Sequence, residues 1–187
     1  MADGDDVFYG IDAEDRLAFV NPAWDQFAAD NGARHLRSEA VISRSIWDFI
    51  SDDTTRYLYR EILKRVRAGH RARFAFRCDS PGRRRFLEMD ARPIMEQGVG
   101  FYVRTLALED RPPQPLLGAA RETSGEILRM CSWCKRVPDG NAWIPVEAAA
   151  EKFRVFESPT LPLISHGICG ECEEKMGAAA FSDVSEM

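Results

Sequence analysis

Leu17-Ala18-Phe19-Val20-Asn21-Pro22-Ala23-Trp24 reads as a strand that passes directly into a helix. The first four residues are apolar and include aromatic and β-branched side chains, which suit a strand. Asn21 is a good helix N-cap, and Pro22 fits the first helical position, where its missing N–H is not needed. Trp24, Phe27 and Ala28 then recur at helical spacing, so this helix buries one face until Asn31-Gly32 ends it. Upstream, the apolar run 7–11 predicts a first strand, with Asp12-Ala13-Glu14-Asp15 as the turn between the two.

Downstream, residues 33–45 read as irregular, and Ile46, Trp47, Phe49 and Ile50 form a short apolar turn. A helix is predicted over 54–68, capped by Asp52 or Asp53 and ended by Gly69. Its apolar stripe is Tyr57, Leu58, Ile62 and Val66, and its wet face is Arg56, Arg60, Lys64 and Arg67. The period then changes to two. Phe74, Phe76 and Cys78 alternate with Arg73 and Arg77, and Ser80-Pro81-Gly82 makes a turn. In the next strand Leu87, Met89 and Ala91 share one face while Phe86, Glu88 and Asp90 share the other. Gly98 and Gly100 open a last strand over 101–108.

Two strands, several short helices and three long antiparallel strands, in that order, resemble the PAS sensor family over about residues 5–109. The residues carrying the resemblance are Leu17 to Trp24 as quoted, Ser45-Ile46-Trp47-Asp48-Phe49-Ile50, and the three closing strands. The resemblance implies an α+β fold: a PAS-like five-stranded antiparallel sheet with helices on one face. It also implies either an unidentified small ligand or nothing between sheet and helices, and dimerisation through the outer sheet face. Phe19, Trp24, Phe27, Trp47, Phe49, Tyr57, Phe74 and Phe76 either line such a pocket or fill the core. Apolar patterning without a polar anchor favours the core. The long strands carry apolar residues of both parities, with Leu87 and Met89 opposed to Phe86, and Phe101 beside Tyr102. A second chain or the C-terminal tail is expected to cover the outer face, the homodimer being the preferred cover.

Residues 110–125, with Arg111-Pro112-Pro113-Gln114-Pro115, read as a linker, and 126–187 as a separate tail. The tail holds Cys131-Ser132-Trp133-Cys134 and Cys169-Gly170-Glu171-Cys172, two C-x2-C turns with thirty-four residues between them. Four thiolates from two such turns match a closed, structural Zn²⁺ site, so Cys131, Cys134, Cys169 and Cys172 are the expected ligands. The tail, residues 126–187, is expected to fold only with its metal, because the segment has few large apolar side chains. A Zn²⁺ with four thiolates is formally doubly negative, and Lys135, Arg136 and Arg129 lie close enough in sequence to offset it. His166, three residues before Cys169, is either a ligand or a hydrogen-bond donor to one, and four cysteines already close the site. Cys78 alternates with phenylalanines and reads as a small buried hydrophobe.

The tail also resembles short C-terminal extensions of bacterial PAS and receiver-type signalling proteins. The matching residues are Cys131-Ser132-Trp133-Cys134-Lys135, Trp143, and Ser165-His166-Gly167-Ile168-Cys169-Gly170-Glu171-Cys172. The two resemblances together imply a bacterial sensor module that acts by contact with a signalling partner. A thiol redox sensor that releases zinc on oxidation is the first alternative, and a nucleic-acid-binding zinc ribbon the second.

Composition narrows these classes. The chain is 45% hydrophobic with eleven Phe and four Trp, enough for a real core in 187 residues. No run of ~18 apolar residues predicts a membrane span, and the acidic start argues against a signal peptide. A cytoplasmic, reducing setting is expected, where clustered cysteines mean metal more often than disulfides. A net charge of −5 and a tail without a dense basic stripe disfavour nucleic acid. No phosphate-cradling loop, Gly-x-Ser-x-Gly or His-Glu-x-x-His appears, so no enzyme is predicted.

Overall fold

The computed structural model describes residues 6–118, 123–157 and 160–181, and Asn21 in it is the corner on which the first half turns. Its Oδ1 accepts from the N–H of Trp24 at 3.3 Å, capping the helix, and from the N–H of Phe8 at 3.1 Å. Its Nδ2 donates to the Asp6 carbonyl at 2.8 Å. One amide therefore starts α1 (Pro22–Asp30) and ties it to β1 (Val7–Ile11), which pairs antiparallel with β2 (Leu17–Val20). The region read as irregular holds a 3₁₀ turn, Arg34–Leu36, and a one-turn helix, α2 (Ser38–Val41). Asp52 caps α3 (Asp53–Arg67), accepting from the Thr55 N–H at 2.8 Å.

The strands β3 (Ala72–Arg77), β4 (Arg83–Pro93) and β5 (Val99–Asp110) complete an antiparallel sheet in the order β2-β1-β5-β4-β3. The expected α+β architecture, a five-stranded sheet with helices, is what the chain forms. Ile11, Leu17, Phe74, Met89, Ala91, Val99 and Phe101 pack with Ile62, Leu63 and Val66 of α3 in one buried cluster. Each of these side chains larger than Ala91, when fully buried, contributes about 1.5–3 kcal/mol. Tyr57 departs from its expected place: it is 61% exposed, while Leu63 is buried. At 100° per residue, Thr55, Ile62 and Val66 share the face turned to the sheet, and Tyr57 falls off it. Trp24, Trp47 and Phe76 pack against the core, as the core-filling reading expects, whereas Phe49 is partly open to solvent.

The outer sheet face differs in kind. Phe8 stacks on Tyr102 with ring centroids 4.2 Å apart and leans on Phe19, whose ring fills the space a Cβ at Gly10 would take. Toward β3 the face becomes ionic, built from Glu88, Asp90 and the arginines around them. Phe86 is half-buried, with the Arg77 guanidinium 5.6 Å from its ring centroid.

The second half adds β6 (Thr123–Cys131), a hairpin of β7 (Val137–Asp139) and β8 (Ala142–Ile144), α4 (Val146–Lys152), β9 (Leu161–Gly167) and α5 (Gly170–Phe181). β6 and β9 pair in parallel. A second buried cluster joins Met130, Val137, Val146, Ala149, Ala150 and Val155 to Leu116, which lies in the stretch read as a linker. Among the described residues no helix is long and apolar enough to cross a membrane.

Candidate metal centre

The parallel pairing of β6 and β9 decides where the cysteines go. Cys131 is the last residue of β6 and faces Gly167, the last of β9, so both cysteine segments leave the ribbon at the same end. The Ser132 N–H donates to the Gly167 carbonyl at 2.8 Å and fastens one segment to the other. The first segment closes as a tight knuckle: the Cys131 N–H donates to the Arg136 carbonyl at 2.8 Å, and the Lys135 N–H to the Cys131 carbonyl at 3.1 Å. Lys135 takes φ +60° to make this turn. In the second segment Cys169 precedes α5 and Cys172 lies in its first turn, where the helix dipole favours negative charge.

The four sulfurs thus converge. All lie within 4.8 Å of one another, and those of Cys134 and Cys169 are 3.7 Å apart. Four ligands at a Zn–S distance of about 2.3 Å form a tetrahedron with edges of about 3.8 Å, so the cage fits a tetrahedral thiolate site. The cysteines are free rather than paired as disulfides; Cys131 and Cys169 are buried, Cys134 and Cys172 half-buried. Hydrogen bonds from Cys134 and Cys172 drive the Cys131 thiol down, and the same contact with Cys131 pushes Cys134 up to about 11 and Cys172 up as well. The sulfurs compete for one negative charge, a conflict that a cation among them resolves. His166 is absent from the converging donors, and burial lowers its pKa.

The charges around the cage are arranged individually. Arg136 pairs with Glu171. The Lys135 Nζ donates to the Ser132 carbonyl at 2.6 Å, and burial lowers its pKa. Arg129 lies over the Trp143 ring, 5.8 Å from its centroid, and occupies the space where a Cβ on Gly167 would sit. Cys78 lies outside the cage and is half-buried rather than fully buried as expected, and desolvation raises its thiol.

The cage is seated in the wall of the sheet unit. Trp133, between the two knuckle cysteines, is 5% exposed and approaches Tyr59 of α3, ring centroids 6.4 Å apart. Cys131, Trp133, Ile168, Cys169 and Met176 belong to the same buried cluster as the sheet core. The Arg77 N–H of edge strand β3 donates to the Trp133 carbonyl at 2.7 Å, and its guanidinium to the Cys134 carbonyl at 3.2 Å. The Ser132 hydroxyl meets Asp52, the cap of α3, at 3.3 Å.

A second joint lies beside it and was not read from the sequence. Asp79, whose side chain is closed to solvent, takes Arg77 and Arg111, the latter at 3.0 Å. Glu147 of α4 takes Arg111, Arg84 at 2.9 Å and Arg77 at 3.9 Å. Burial alone would raise Glu147, but its own backbone N–H and these arginines hold it below the usual carboxylate range. Arg111 stands in the proline-rich stretch, where nothing in the local pattern marks a buried cation.

No protein-family model matches the chain, and no curated protein does. Similar solved structures include a domain of a sensory box sensor histidine kinase/response regulator from Geobacter sulfurreducens. It is 18% identical over 55% of this chain and 84% of that one, with a TM-score of 0.41. The PAS domain of BvgS from Bordetella pertussis is 20% identical over 55% of this chain and 73% of that one, TM-score 0.38. A PAS domain from a two-component sensor histidine kinase is 17% identical over 55% and 86%, TM-score 0.37.

Proposed function

We propose that the chain is a non-catalytic signalling module in which the sheet unit receives a signal and passes it on by protein contact, while Zn²⁺ in the four-cysteine cage holds the C-terminal unit in place. The observation that carries this reading is the seating of the knuckle. Trp133 is buried in the sheet unit's own core, so a change in the packing of α3 or β3 reaches the cysteine unit directly. Cysteine-only ligation without an open position suits a structural metal rather than a catalytic one. The PAS resemblance of the sequence and the five-stranded sheet support the sensor role.

Elemental analysis of protein purified without chelator tests the metal, with near one zinc per chain expected and a sharp fall in Cys169→Ser. Absence of metal, or visible absorption from an iron–sulfur cluster on the same sulfurs, overturns the zinc assignment. Coupling is tested by Tyr59 fluorescence or amide exchange in α3, which should change when the metal is removed.

A further inference from the structure

We infer that Arg77, the last residue of β3, is a positioning residue for the metal cage, through which the sheet unit sets how tightly Cys131 and Cys134 hold their ion. The inference rests on the four-cysteine metal reading above and names what regulates that site.

The knuckle from Cys131 to Cys134 has one carbonyl per residue, and every one of them is taken. Lys135 takes the first two: its N–H donates to the Cys131 carbonyl at 3.1 Å and its Nζ to the Ser132 carbonyl at 2.6 Å. Arg77 takes the last two: its N–H donates to the Trp133 carbonyl at 2.7 Å and its Nη1 to the Cys134 carbonyl at 3.2 Å. The cysteine unit therefore holds the first half of its own knuckle. The second half is held from the sheet, by a residue 57 positions from Cys134.

These bonds reach the sulfurs. A trans peptide is planar, with its C=O and N–H pointing opposite ways, so holding the Trp133 carbonyl aims the N–H of Cys134. That N–H donates to the Cys131 sulfur. Holding the Cys134 carbonyl fixes the peptide that leads out of the knuckle, and the N–H of Arg136, just beyond it, donates to the Cys134 sulfur. Groups that fix ligand atoms from behind tune their hold on a metal.

Arg77 is itself locked. Its side chain is 15% exposed, and its guanidinium lies 5.6 Å from the Phe86 ring centroid. Both carboxylate oxygens of Asp79, closed to solvent, accept from it, one from Nε at 3.1 Å and the other from Nη2. Glu147 of α4 lies 3.9 Å away. One guanidinium thus joins the turn after β3, α4 and the knuckle. The cations nearest the cage in sequence are engaged elsewhere: Arg136 with Glu171, Arg129 with Trp143. Coupling of this kind is reciprocal. Whatever moves the end of β3 changes the affinity of the cage, and filling the cage stiffens the end of β3.

The test uses the full chain in two measurements. Zn²⁺ affinity is read by competition with a chromophoric chelator, and sulfur geometry by the thiolate absorption bands of the Co²⁺-loaded chain. Arg77→Met keeps the stem and the backbone N–H but loses the guanidinium. It should weaken Zn²⁺ about 10–100-fold, the loss typical of a residue that supports a ligand, and shift the Co²⁺ bands. Arg136→Met removes the same charge beside the cage, with no side-chain bond to a knuckle carbonyl lost. It should change affinity less than about fivefold, as an exposed ion pair allows, and leave the bands in place. Arg77→Lys keeps the charge beside Asp79 without the fork and should fall between; it carries the test if Arg77→Met loses amide protection in β4 and β5. Unchanged affinity and bands in the Arg77 variants, or an equal loss in Arg136→Met, overturns the inference and leaves the metal reading standing. An unaltered chain that takes up neither Zn²⁺ nor Co²⁺ overturns the metal reading, and the inference with it.

Discussion

Against α3 the sheet sets Ile11, Met89, Ala91, Val99 and Phe101, all nearly closed to solvent, whereas the ribbon that carries the cysteines leaves Ile127 72% and Leu163 47% exposed. The first unit has a five-stranded sheet and a helix of fifteen residues to cover its apolar face. The second has a two-stranded parallel ribbon, a three-residue hairpin and short helices, and its own buried cluster is dominated by Ala and Val. Apolar burial suffices for one; the other adds a cluster of four cysteines that could hold a metal, and a tryptophan lent to its neighbour. The cysteine unit is thus ordered from outside its own core.

The largest test of this contrast is removal of the metal. Structural zinc contributes on the order of 10–16 kcal/mol in small zinc-held units. Chelation, or Cys169→Ser, is expected to abolish amide protection in β9 and α5 while β4 and β5 remain protected. Equal protection with and without metal breaks the contrast.

Trp133→Ala comes next, at about 3–5 kcal/mol for truncating a buried aromatic. Because Trp133 sits in the common core, urea should shift the unfolding of both units together, with zinc still bound. A loss confined to the cysteine unit would show that the seat is superficial.

Glu147→Gln sharpens the second joint. It leaves Arg84 and Arg111 without a charged partner on α4 and is expected to cost about 1–3 kcal/mol. The joint also has a pH signature. Glu147 is held below its ordinary pKa in the folded chain, so its stabilisation is present at neutral pH and lost as pH falls through the carboxylate range and below. The urea midpoint of the unaltered protein should therefore drop more steeply in acid than that of Glu147→Gln, and parallel slopes would remove Glu147 from the account.

Asn21→Ala is the smallest, about 1 kcal/mol from the lost cap with some addition from the Phe8 N–H. It should lower the stability of the sheet unit and leave zinc content untouched.

The corner at Asn21, the cap at Asp52, the period change after Gly69 and the cysteine cage were legible because each is a local signal. Caps, alternation and C-x2-C turns act within a few residues. The stripe of α3 was misplaced at Tyr57 because two apolar residues in tandem, Tyr57 and Leu58, blur the phase that Leu63 settles. The parallel ribbon was not legible: Cys131 and Gly167 meet across the whole insertion, and no turn records it. Nor was the burial of Asp79 and Arg111, since a charge looks alike in sequence whether solvated or paired. The ionic outer face was half-read; Glu88 and Asp90 were placed on it, but the arginines that overlie them come from three strands and the turn before β3.

The Trp133 carbonyl that receives the Arg77 N–H has a bearing on solubility. β3 is the last strand of the sheet, and an uncovered edge is a template for a strand of another molecule. The knuckle caps that edge at Arg77, its last residue, next to Phe76. Stripped of metal, the chain would present an open backbone edge and a released tryptophan side by side, the combination that begins aggregation. Turbidity on chelation, reversed by zinc and by a lysine placed at Ala75 on the same strand, is how this edge would announce itself.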